Sequence, residues 1–124
     1  MALMEMVKAI SFEAGGDLSA DQWKFVTVAA DGQVDVTTGA GSLPTGVLLN
    51  NPDAAGRAAE VAVGGVVKVE ASAAIAAGAD VAVTAAGLAA TASTGNSIVG
   101  QCLKGAGAAG ELAEVLMGFR GVAP

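Results

Sequence analysis

The sequence predicts an all-β fold, a small barrel or sandwich of short strands. Three observations carry that expectation. Apolar residues make up 53% of the chain but aromatics only 3%, so small side chains supply the core. The 18 glycines fall mostly between short Val-rich runs, a pattern of tight turns joining short strands. The second half of the chain also repeats the first, and many short strands are best accommodated where a closed or doubled sheet hides their edges.

Alternation and turn chemistry place strands at residues 23–29, 33–38, 45–50, 58–63, 66–71, 80–84, 88–92, 97–104 and 111–117. Asp31-Gly32 joins the first two as a hairpin. Val61 and Val63, then Val67 and Val69, alternate about a bend at Gly64-Gly65. The Ala-rich stretch 72–77 is expected to hold a helical turn around Ile75, ended by Gly78. Ahead of these, residues 1–16 are apolar and end in Gly15-Gly16. They are expected to form an extended N-terminal arm that docks on a neighbouring protein, with Leu3, Met4, Met6, Val7, Ile10 and Phe12 as candidate contacts. The plainer alternative is an ordinary first strand with a frayed terminus. Residues 17–124 then form a single β-rich domain.

The repeat appears when the sequence is slid along itself. A shift of 54 lays residues 46–63 over 100–117 without a gap, matching Gly46/Gly100, Leu49/Leu103, Ala54/Ala108, Ala55/Ala109, Gly56/Gly110, Ala59/Ala113, Glu60/Glu114 and Val61/Val115. A shift of 55 pairs residues 26–28 with 81–83 and Gly32 with Gly87. The halves run 23–63 and 80–117, and residues 1–16 have no counterpart. Glu60 and Glu114 read as symmetry-related surface or strand-end acids.

The residue inventory speaks against catalysis. There is no His, no Tyr and one Cys, which removes the usual general base and every Ser–His or Cys–His pair. A His-based or multi-Cys zinc site is equally impossible. The acids are dispersed, and Asp17 and Asp21 share only a polar connector, so no metal site is expected. Cys102 lies in an apolar stretch and matches Leu48, a packing position. Gly105-Ala106-Gly107-Ala108-Ala109-Gly110 fits a phosphate-loop pattern, but it falls opposite the turn-rich stretch 51–56 and reads as a strand connector. No cofactor is expected, and the protein is read as a non-enzyme.

The net charge is −6, and Lys8, Lys24, Arg57, Lys68, Lys104 and Arg120 stand singly. No basic patch is present to neutralise phosphates, so neither nucleic acid nor an anionic membrane is an expected partner. Glu5 and Lys8 interrupt the apolar N-terminus, and no run approaches the ~20 apolar residues of a spanning helix. A soluble protein made in a cytoplasm is expected.

The run Gly46-Val47-Leu48 before an Asn-Pro loop, residues 59–69 with Glu60 and Gly64-Gly65, Ile75 through Val81, and the closing stretch Gly100 through Val115 together resemble the capsid decoration, or cement, proteins of tailed phages. The resemblance spans residues 18–117. It implies a small β-rich structural domain that binds the outside of an assembled capsid shell, often as a homotrimer, and stabilises it. The major capsid protein is the implied partner and residues 1–16 the candidate arm. Another β-rich structural or adhesion module, such as a head-fibre or tail-associated domain, is the alternative.

Overall fold

In the computed structural model residues 7–124 are described, and they form nine strands. These are β1 (Lys8–Ala14), β2 (Phe25–Val28), β3 (Gln33–Val36), β4 (Gly46–Leu48), β5 (Ala58–Glu70), β6 (Asp80–Val83), β7 (Ala89–Thr91), β8 (Gly100–Lys104) and β9 (Leu112–Met117). No helix occurs among the described residues. The fold is all-β. The strands join in the order β1-β3-β2-β4-β5-β9-β8-β6-β7, with β1 also paired to β5. The sheet therefore curls into two five-stranded rings that share β5. The first is closed by the β1–β5 ladder, the second by a single parallel bridge between Ala71 and Ala89.

The rings match strand for strand. In the first, Val26 pairs with Val36 and Val28 with Val34; in the second, Val81 pairs with Thr91 and Val83 with Ala89. Val47 lies opposite Ala62 and Leu48 opposite Val61, just as Gln101 lies opposite Leu116 and Cys102 opposite Val115. The correspondence extends further than the sequence comparison reached. Phe12–Ala59 and Glu13–Ala58 on β1 and β5 are repeated as Val69–Ala113 and Glu70–Leu112 on β5 and β9. So β1 does have a counterpart, the second part of β5. Only Glu13-Ala14 and Glu70-Ala71 are identical there, too short a match to stand out.

A five-stranded ring has a narrow interior, and Ala and Val fit it where larger side chains would not. Ala14, Val26, Val34, Leu48, Ala59 and Val61 fill the first ring. Ala71, Val81, Ala89, Cys102, Ala113 and Val115 fill the second at equivalent places, with Val67 and Val69 beside them. This explains a sequence rich in small apolar residues and poor in aromatics.

The rings pack against each other through unlike surfaces. Phe25, Val47 and Ala62 leave the first ring's interior and join the core of the second. The Phe25 N–H donates to the Gly87 carbonyl at 2.7 Å, Glu70 N–H to the Trp23 carbonyl at 2.9 Å, and Gly41 N–H to the Val83 carbonyl at 2.9 Å. Gly87 is required here: its φ is +77°, and a Cβ would strike a Val36 methyl. Trp23 also takes a left-handed backbone, φ +73°, at the place Gly78 occupies in the second ring with φ +89°.

Two local expectations are corrected. Residues 58–70 form one strand through Gly64-Gly65, with φ +90° at Gly65 inside the strand. The stretch 72–77 contains no helical turn, because Ile75 bridges to Ala106 and exchanges both backbone hydrogen bonds with it. Tertiary pairing overrides the local Ala preference.

Candidate interaction surface

The arm residues are distributed as follows. Leu3, Met4 and Met6 lie outside the described residues. Val7 packs against the second ring's core. Ile10 and Phe12 belong to β1, with Phe12 half-buried against the first ring's core. Ile10 is 50% exposed, whereas its counterpart Val67 is 0% exposed. The difference arises because the first ring helps to cover the second, while nothing in the described chain covers the first in the same way.

Among the described residues the remaining exposed large apolar side chains are Leu43, Leu103, Leu112, Leu116, Phe119 and Val122. Leu112 and Leu116 lie on the outward face of β9. Their partners across the β5 ladder are Glu70 and Val66. These positions correspond to Ala58 and Ala62 in the first copy. An Ala replaced by Leu at an outward phase was the available signal, and strand alternation alone would not single it out. Leu103 sits at a bulge in β8. Phe119 and Val122 project from the C-terminal segment, where Val122 bridges to Ser97. A shallow open groove beside β2 and β3 is lined by Thr27, Val28, Val36, Thr38 and Ser42.

The polar groups are accounted for by local structure. The Ser19 hydroxyl and N–H hold Asp17 below the usual carboxylate range, while Asp21 pairs with Lys24 at 3.0 Å. The two acids thus have separate partners. Glu60 accepts from Ser11 at 2.8 Å. Glu114 lies across the strands from Lys68 and Lys104. It is only 6% exposed, so the expectation of two surface or strand-end acids fails at this residue. It lies in mid-strand, and its neighbours across β5 and β8 shield it. Among the described residues no three of His, Cys, Asp or Glu converge as metal ligands would.

The glycine-rich stretch 105–110 is a turn. Glu111 N–H donates to Ala108 O as Arg57 N–H does to Ala54 O, and Gly110 and Gly56 share a positive φ. The strand β9 follows, so the loop lacks the helix N-terminus that phosphate cradling uses.

Cys102 is fully buried, and its thiol donates to the Lys104 carbonyl at 3.3 Å. Burial, then the negative charge of Glu114, pushes the thiol pKa up. A maleimide should therefore leave the native protein unlabelled and react fully after guanidinium unfolding. Rapid labelling of the native protein would contradict the packing role.

No protein-family model matches the chain, and no curated protein matches it in sequence. Among solved structures the chain is similar to the N base of head fiber gp8.5 from bacteriophage phi29, with a TM-score of 0.71 and 15% identity over 96% of this chain and 99% of that one. At that identity the likeness establishes a fold shared with a phage head-fiber base.

Proposed function

We propose that the protein is a structural component of a tailed-phage virion, bound to the outer surface of the capsid and stabilising the shell without catalysis. The observation that carries this reading is the fold likeness across nearly the whole chain to a head-fiber base. The decoration-protein resemblance of residues 18–117 points to the same setting. The major capsid protein is the proposed partner, and a homo-oligomer the proposed form. An acidic protein with net charge −6 is suited to the outside of a shell packed with polyanionic DNA. A lattice of identical sites also lets a modest contact gain strength through multivalency. The second reading is the base of a head fibre, favoured by the description of the structural neighbour.

Sedimentation with expanded shells of the parent phage separates these readings. A decoration protein should pellet stoichiometrically and raise the temperature at which shells release their contents. A fibre base should occupy a small subset of sites and co-purify with a fibre protein. Absence of binding to shells and fibres alike would refute both.

A further inference from the structure

The packing of one ring on the other is a head-to-tail contact, and it leaves one face of each kind unused. The first ring presents a back made of Phe25, Val47 and Ala62, with Leu49 beside them, all packed against the second ring's core. The second ring receives them on a front that includes Glu70, Val83 and Gly87. Among the described residues nothing covers the equivalent front of the first ring. Gly32, the counterpart of Gly87, has open space around the position of a Cβ, and Val28 is half-buried where Val83 is 3% exposed. Ile10 stands 50% exposed on the strand equivalent to that of buried Val67.

Among the described residues the equivalent back of the second ring is uncovered as well. There Asp80, Gln101, Leu116 and Leu103 replace Phe25, Val47, Ala62 and Leu49. Leu103 is 46% and Leu116 38% exposed. Three of the exposed large apolar residues therefore fall on the two faces that the internal contact would use a second time.

We propose that a second copy of this chain docks head to tail, its first-ring front around Ile10, Val28 and Gly32 receiving the second-ring back around Leu103 and Leu116. The fold already contains one such contact, so the backbone geometry of both faces is complementary by duplication. Asp80 and Gln101, standing where Phe25 and Val47 are buried, make the contact between chains weaker than the one within the chain. It is a reversible, concentration-dependent association. A contact of this type closes into a ring if its rotation permits, and otherwise extends into an open chain. This deepens the oligomeric part of the proposed function and is independent of shell binding.

The test uses the full chain with Ile10→Glu (front) and Leu116→Glu (back) variants, both at exposed positions, studied by sedimentation velocity over a wide concentration range. Leu103→Glu is a second back variant, and circular dichroism verifies folding. The native chain should sediment faster as concentration rises, and each variant alone should lose that shift. An equimolar mixture of front and back variants should regain a dimer and nothing larger, because only one competent front and one competent back remain. A native chain that stays monomeric would overturn the proposal. So would back variants that associate like the native chain, since the contact then lies elsewhere. If removing residues 1–6 alone made a monomeric chain associate, the occupant of the front would be the chain's own N-terminus, and the proposal would likewise fall. Shell sedimentation of the same variants reads the capsid proposal separately.

Discussion

Replacing Phe25 with alanine is expected to lower the stability of the fold by about 3–5 kcal/mol, the usual cost of deleting a buried aromatic side chain. Phe25 is fully buried, the largest such side chain among the described residues, and it lies in the second ring's core while its strand belongs to the first. The truncation opens a cavity where the rings meet, and the surrounding strands are tied by ladder hydrogen bonds that limit collapse onto it. Against a total of roughly 5–15 kcal/mol for a domain of this kind, the loss is large. The denaturation midpoint should fall with little change in slope. The comparison is Asp80→Ala at the equivalent, exposed position, which should stay within about 0.5 kcal/mol of the native chain. Equal effects at the two sites would show that the rings do not lean on each other as the structure indicates.

Gly46→Ala and Gly100→Ala should each be destabilising by about 1–3 kcal/mol or more, as overpacking in a tight core is. The two glycines occupy the same place in the two rings. A Cβ on Gly46 would meet the Ala62 carbonyl oxygen and a Val61 methyl; on Gly100 it would meet the Leu116 carbonyl oxygen and a Val115 methyl. Both obstacles include backbone, and backbone cannot swing aside as a flexible side chain can. Gly16→Ala supplies the control. Nothing lies within 4 Å of its Cβ position, and its φ is not among the positive ones. That change should be neutral or stabilising by about 0.4–1 kcal/mol through the unfolded chain. Thermal or urea melts of the three variants decide the matter. A harmless Gly100→Ala would mean that β8 and β9 lie farther apart than the structure has them.

Much of this architecture was legible from residues alone. Alternation and turn chemistry located the strands β2 to β9, Asp31-Gly32 marked a hairpin, and the identities from Gly46 to Val115 announced the doubling. What escaped notice depends on long-range pairing. The place of β1 is set by its ladder with β5, and two matching residues cannot reveal that. The path around Ile75 depends on Gly105, whose missing side chain lets the Ile75 carbonyl approach. The burial of Glu114 follows from its place on β9 between β5 and β8. On the functional side, sequence reasoning drew attention to residues 1–16. The exposed Leu103 and Leu116 stood out only when compared with half-buried Leu49 and buried Ala62 at the same places in the other ring.

The strand β5 passes from one ring into the other with no spacer between them. Dilution therefore cannot separate the two halves: each remains within reach of the other however few molecules share the solution. A joint tethered so tightly needs only a few side chains, here Phe25, Val47, Ala62 and Leu49, with the backbone hydrogen bonds of Phe25, Glu70 and Gly41 beside them. The outer faces have no such tether, and whatever meets them must find them by diffusion and hold on by affinity alone.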